Sequence, residues 1–498
     1  MTEKQGAPQS PDADTDKKSF GKDVGKLVSG TVIAQIAGIL LIPIITRIFG
    51  PEIYGVAATF ISLVSVIAVI GCMRYELAIL LPKDDRDAGA VFLACLLIMV
   101  CVSLASLLGI WLFGDIIVGL LNAPALKEYL ILVPIAAFIN SLYMALRYWN
   151  SRWRRFGTQA TTQVLQSVSA SGLKLGFGGL GYVNAGSLII GEIIGNGLGT
   201  LVLLYQAVRC DLSAVWSNCS LSSIRTQIIR YKKFPLIDSG STLLNTVSWQ
   251  LPVFMLTGFF SSTVAGLYAL GFQMLQMPMS LVGRSIGQVF FQRASVAKHT
   301  DGLPEIVEET SSLLIILSVM PFLLLTIVGG DLFSLVFGAE WEEAGIFVQI
   351  LGVWAMIWFI TSPLSVLINV HEILGFGLKY NFLNFITRVL SLAIGGILGN
   401  VYLALMLFMI SGVFVYGYMG YVVIDRSGAS FRKIGNHVKK PVFIGLGICG
   451  AVAFISLFQL QGIVLCSIAI AAGIGYTLFI IRKNVLVKQY LFIKKKGM

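Results

Sequence analysis

Hydrophobic and polar positions fall into long blocks here, without the short alternation of surface helices or strands. Apolar runs of about 20–28 residues are separated by short polar connectors. Fourteen segments can be drawn, at approximately 27–49, 54–81, 88–112, 128–149, 158–182, 185–208, 234–259, 262–286, 307–328, 345–368, 376–398, 401–424, 441–460 and 462–481. Each is long enough to cross about 30 Å of hydrocarbon as an α-helix. The pattern predicts an all-α polytopic membrane protein with about 14 transmembrane helices. Segment 5 is the most diluted, by Thr161, Thr162, Gln163, Gln166, Ser167, Ser169, Ser171 and Lys174.

Composition removes the alternatives. Apolar residues make up 56% of the 498, and charged residues only 12%, against roughly 25% in a soluble domain. A soluble enzyme, a secreted disulfide scaffold and a nucleic-acid-binding domain are thereby excluded. The net charge of +11 sits in the connectors, so the membrane explains it. With the N-terminus in the cytoplasm, 31 of the 36 basic residues fall on the cytoplasmic side. The outer connectors hold Arg47 and Lys127, and Arg74, Lys174 and Arg388 lie within segments. That asymmetry predicts cytoplasmic N- and C-termini.

The chain divides into a polar tail at 1–26, a six-helix lobe at 27–210, a basic cytoplasmic linker at 211–233 and a second six-helix lobe at 234–424. A linker with helices 13 and 14 follows at 425–482, then a basic tail at 483–498. The first tail has no short apolar core and reads as a disordered cytoplasmic segment, not a signal peptide. The lobes echo each other. Thr46, Phe49 and Gly55 match Thr257, Phe260 and Gly266 with an offset of 211. Gly114-Asp115, expected after helix 3, matches Gly330-Asp331, expected after helix 9, and the first helices carry Pro43 and Pro252. Helices 1 and 7 cross in the same direction, so the repeat is parallel. Transporters built this way place substrate between their halves.

Arg47-Ile-Phe-Gly-Pro-Glu-Ile-Tyr-Gly55, followed by Met73-Arg-Tyr-Glu-Leu-Ala-Ile-Leu-Leu-Pro-Lys83, resembles the opening helices of bacterial polysaccharide-unit (Wzx-type) flippases. These belong to the multidrug/oligosaccharidyl-lipid/polysaccharide exporter superfamily. Phe337-Gly-Ala-Glu-Trp-Glu-Glu-Ala-Gly345 is similar to an outer connector of the same family. The resemblance implies a V-shaped pair of six-helix bundles with helices 13 and 14 added. It also implies transfer of an undecaprenyl-diphosphate-linked oligosaccharide from the cytoplasmic to the periplasmic leaflet of the inner membrane, for O-antigen, capsule or exopolysaccharide synthesis. A polysaccharide polymerase and a chain-length regulator in the same membrane are the partners it suggests.

Charges at bilayer depth are expensive and mark cavities or partners. Arg74 and Glu76 on helix 2, Asp238 on helix 7 and Arg284 on helix 8 lie toward the cytoplasmic end. In the repeat register Arg74 falls beside Arg284, so each lobe would offer an arginine to a shared cleft. A guanidinium keeps its charge when desolvated and donates a planar fork to phosphate oxygens. Arg388 on helix 11 lies near mid-depth without an acid at its level, which points to a cavity role. Lys174 and Glu192 lie at matching depth on helices 5 and 6, as a hairpin ion pair or as a phosphate-handing or proton-coupled site. Arg74, Arg284, Arg388 and Lys174 are thus the candidate substrate contacts. Glu76, Glu192 and Asp238 are the candidate charge partners or ion-coupling groups, with H+ or Na+ as the ion. Trp111, Trp149, Trp153 and Trp341 near helix ends read as interfacial anchors, and Gly191, Gly195 and Gly199 as a packing stripe.

No metal site or cofactor is indicated. His299, His371 and His437 fall in connectors, five cysteines lie in apolar runs, and Cys210 and Cys219 form a lone loop pair. Nucleotide-binding and nucleophile–base motifs are missing, so the chain reads as a transporter and not an enzyme. Two other functions compete with the flippase. A drug or metabolite exporter would need an acid-rich cavity, and a glycan polymerase or ligase a large outer catalytic loop.

Overall fold

A computed structural model describes residues 38–212, 220–298, 300–458 and 462–483. Each of the fourteen apolar segments has a helix over it, and no strand occurs among the described residues. In lipid this is the economical arrangement, because a helix satisfies its backbone polar groups within the segment. The first six are α1 (Gly38–Ile48), α2 (Pro51–Ile70), α3 (Asp85–Leu120), α4 (Leu132–Arg152), α5 (Phe156–Gly179) and α6 (Ala185–Ala207). The second six are α7 (Ser239–Phe259), α8 (Ser262–Pro278), α9 (Leu303–Phe337), α10 (Glu342–Leu364), α11 (Leu374–Ile397) and α12 (Val401–Arg426). Then come α13 (Phe431–Ser456) and α14 (Gly462–Lys483). Among the described residues, eight helices are long and apolar enough to cross a membrane by length and composition. The protein is a multi-pass membrane protein.

The sequence repeat has structural counterparts. α3 and α9 span 36 and 35 residues, and α5 and α11 span 24 each. Left-handed glycines follow the latter two, Gly181 (φ +87°) and Gly399 (φ +64°). A Cβ would be strained there, whereas glycine closes the helix without penalty. Asn184 and Asn400 then cap α6 and α12, their side chains accepting from the backbone N–H groups of Ser187 and Leu403.

The chain forms two compact units. One holds the described residues up to Ile45 and those of Leu63–Gly114 and Glu128–Leu244. The other holds Thr46–Ser62, Asp115–Lys127 and the described residues from Asn245 on. In the second unit, the first turns of α2 and α8 cross at glycine. A Cβ on Gly55 would lie 1.7 Å from the Ser262 carbonyl oxygen, and one on Gly266 would lie 2.0 Å from that of Pro51. Each repeat-related glycine thus faces the carbonyl four residues before the other. Nearby, the Thr59 and Thr257 hydroxyls are 3.0 Å apart.

Three expectations need correction. Gly114-Asp115 and Gly330-Asp331 do not follow their helices but lie inside α3 and α9, which run on to Leu120 and Phe337. Segment 2 is not continuous: α2 stops at Ile70, and after a turn the helix resumes only for Tyr75–Ala78. Trp149 and Trp341 are not interfacial anchors; they are 0% and 1% exposed. The Trp149 indole donates to Asp211 and the Trp341 indole to the Thr46 carbonyl, so their polar edges are met by protein. The tails at 1–26 and 484–498, with Cys219 and His299, lie outside the described residues.

Candidate functional site

In the first unit, Arg74, Glu76 and Asp238 come together at the break after α2. Gly71 permits the turn to pack closely, since a Cβ there would lie 1.9 Å from the Ser141 hydroxyl oxygen. Met73 (φ +45°) and Arg74 (φ +64°) both take the left-handed conformation. That costs a non-glycine residue of order 1 kcal/mol or more, so the surroundings must hold it. The restraint is visible: Tyr75 is buried, and its hydroxyl donates to the Ile228 carbonyl at 2.9 Å. The turn aims the Arg74 guanidinium at two acids. Nε donates to Asp238 Oδ2 at 2.7 Å and Nη1 to Glu76 Oε1 at 3.2 Å. The three side chains are 20%, 43% and 6% exposed for Arg74, Asp238 and Glu76. Glu76 Oε2 is buried with no hydrogen-bond partner. One guanidinium is shared by two carboxylates, one deep and one accessible.

Lys174 and Glu192 also meet within this unit, Nζ to Oε2 at 2.6 Å. The other Glu192 oxygen accepts from Asn196 at 3.3 Å. Gly191 makes room for the lysine stem: a Cβ there would lie 2.9 Å from Lys174 Cγ. The Gly191, Gly195 and Gly199 stripe packs α6 against Lys174, Ala170 and Gln166 of α5.

Arg388 belongs to the second unit and is 3% exposed. Its hydrogen-bond partners are all neutral. Nη1 donates to the Ser248 carbonyl at 3.0 Å and the Ser248 hydroxyl at 3.1 Å, and Nη2 donates to the Tyr416 hydroxyl at 2.9 Å. The guanidinium carbon stands 4.4 Å from the centre of the Trp249 ring and 5.7 Å from that of Phe408. Asn384, one turn earlier on α11, donates to the same Tyr416 hydroxyl. Sequence reasoning passed over Ser248, Trp249, Phe408 and Tyr416. The Asn384/Arg388 spacing of four was the signal for a polar helix face, but it does not tell which residues of α7 and α12 would meet that face. Arg284 opens a short helix, Arg284–Ala297, after α8 ends at Pro278; its side chain lies outside the described residues. Among the described residues no group of His, Cys, Asp and Glu could hold a metal ion.

A family profile described as "Polysaccharide biosynthesis protein" matches residues 44–346, more than half of the chain. The chain belongs to this polysaccharide biosynthesis protein family. One relative is the succinoglycan biosynthesis transport protein ExoT of Rhizobium meliloti (strain 1021). It is 23% identical over 410 residues, covering 79% of this chain and 77% of the relative. Among solved structures, the lipid II flippase MurJ in an inward closed conformation has a TM-score of 0.72 at 11% identity. The match covers 92% of this chain and 98% of MurJ. The Vibrio cholerae MATE transporter VcmN, as a mutant, gives 0.51 at 15% identity, covering 82% of this chain and 96% of its own. The chain therefore has the fold of MurJ and MATE transporters.

Proposed function

We propose that the protein is a flippase. Its cargo is an undecaprenyl-diphosphate-linked oligosaccharide, moved by alternating access from the cytoplasmic to the periplasmic leaflet of the bacterial inner membrane for O-antigen, capsule or exopolysaccharide synthesis. The observation that carries this reading is the family match across residues 44–346, with a transport protein of succinoglycan biosynthesis as a relative. Arg74 is the proposed diphosphate contact. It is a permanently charged, partly exposed guanidinium, and one of its two acidic partners is open enough to be displaced. The Lys174–Glu192 pair is less exposed than the Arg74–Asp238 pair, and Arg388 is enclosed, so an anion reaches both less easily. No step of the proposal is enzymatic; an ion gradient of H+ or Na+, or consumption of the product by a polymerase, would drive it.

The test is flipping of a lipid-diphosphate oligosaccharide in proteoliposomes. Arg74→Ala should abolish it while the protein still inserts and melts cooperatively. Arg74→Lys should restore it only in part, because a point charge cannot reproduce the fork. Normal flipping by Arg74→Ala removes the anion contact. Export of organic cations in place of lipid-linked sugar would favour the multidrug reading.

A further inference from the structure

Asp238 ends a wide turn, Phe234–Asp238, that leads directly into α7. The turn is pinned at both ends. Phe234 packs on the apolar cluster that contains Tyr75, and Asp238 takes the Nε edge of Arg74. Between these pins, Leu236 and Ile237 are 75% and 68% exposed. The inner end of α7 is therefore held to the turn after α2 by a carboxylate that is itself 43% exposed. Glu76 holds the other edge of the same guanidinium from a buried position. A carboxylate at Nε occupies the place and supplies the charge that a phosphate oxygen would.

We propose that Asp238 is an internal competitor for the anion at Arg74, a positioning residue that keeps the guanidinium engaged until a diphosphate displaces it. The inference rests on Arg74 being the diphosphate contact. A diphosphate has more charge and more acceptor oxygens than a carboxylate, so it wins the exposed edge and leaves the buried Glu76 bond intact. Displacement unpins the first residues of α7. Arrival of the head group is thereby coupled to release of the helix that begins the second repeat. An accessible ion pair is a suitable latch, because breaking it costs little, whereas a fully buried one would resist exchange.

The probe is inorganic pyrophosphate, titrated into the purified full-length protein in detergent. Asp238→Asn should bind it roughly two- to fivefold more tightly than wild type, the size expected for losing a partly exposed competitor. Asp238→Glu should restore the wild-type value. Asp84→Asn, which removes an exposed acid of the same unit, should leave affinity unchanged and so separates competition from net charge. Amide exchange across 234–243 should rise when pyrophosphate binds wild type and should already be high in Asp238→Asn. Unchanged or weaker binding by Asp238→Asn, or exchange that ignores pyrophosphate, overturns the competitor while loss of binding in Arg74→Ala keeps the contact. Equal binding by Arg74→Ala and wild type, or none by wild type and Asp238→Asn, sinks both.

Discussion

Arg388 and Lys174 show how the two repeats solve one problem in different ways. Aligning the ends of the equal-length α5 and α11 places Lys174 level with Leu392, one turn from Arg388 and on the same face. In the first unit Glu192 of α6 neutralises the cation. Aligning the Asn184 and Asn400 caps puts Phe408 of α12 at the position of Glu192. Phe408 offers a ring to Arg388 where Glu192 offers a carboxylate to Lys174. A buried guanidinium facing hydroxyls, a carbonyl and π-faces depends on geometry, since no opposite charge compensates for imperfect placement. Arg388→Lys should therefore lower stability by about 1–3 kcal/mol, because an ammonium cannot reach Ser248 and Tyr416 together. Thermal melting in detergent measures this; an unchanged midpoint would show that charge alone suffices. This pairing was only half legible beforehand. The lysine–glutamate pair follows from depth on adjacent helices, but a cation with neutral partners leaves no charge pattern in the chain.

At the scale of elements, the crossing of α2 and α8 turns a weak repeat signal into a physical requirement. Gly55 and Gly266 recur because each helix admits the other's backbone only where a side chain is missing. The clashing atoms are carbonyl oxygens, which cannot swing aside as a side-chain tip could. Gly55→Ala should part the helices and cost about 1–3 kcal/mol or more. A local reporter is available at the neighbouring Thr59 and Thr257, whose hydroxyls are 3.0 Å apart. Cysteines at these two positions should cross-link readily in the parent protein and poorly with Gly55→Ala. Equal cross-linking would mean that the helices absorb the methyl without moving. The break at Met73–Arg74 is the opposite case. Gly71 lets the turn pack, but the two left-handed positions themselves carry neither glycine nor another residue that favours that conformation. Their conformation serves an ion pair with Asp238, 164 residues away.

For the whole molecule, the distribution of basic residues predicts a side for every connector. The fold also shows which positions can report it, since Trp341 and Ala185 are buried and a cysteine there would be silent. Exposed neighbours serve better. Cysteines replacing Tyr182 and Glu340 should react with an impermeant thiol reagent added outside intact cells. Cysteines replacing Arg154 and Lys433 should react only after the membrane is opened. Reaction of the second pair from outside would invert the topology and place Arg74 at the wrong face for cytoplasmic loading.

What the sequence determined by itself is what depends on a segment and its immediate flanks. Helix-length apolar blocks and the parallel repeat are of this kind. Transfer into lipid is settled helix by helix, from composition and length. Tertiary structure alone decided which charge meets which partner: Arg74 shared between Glu76 and Asp238, Arg388 among Ser248, Trp249, Phe408 and Tyr416, and Trp149 and Trp341 turned inward. These are distances of a few ångströms between residues far apart in the chain, set by how helices pack. Hydropathy records how deep a residue lies but not what it faces there.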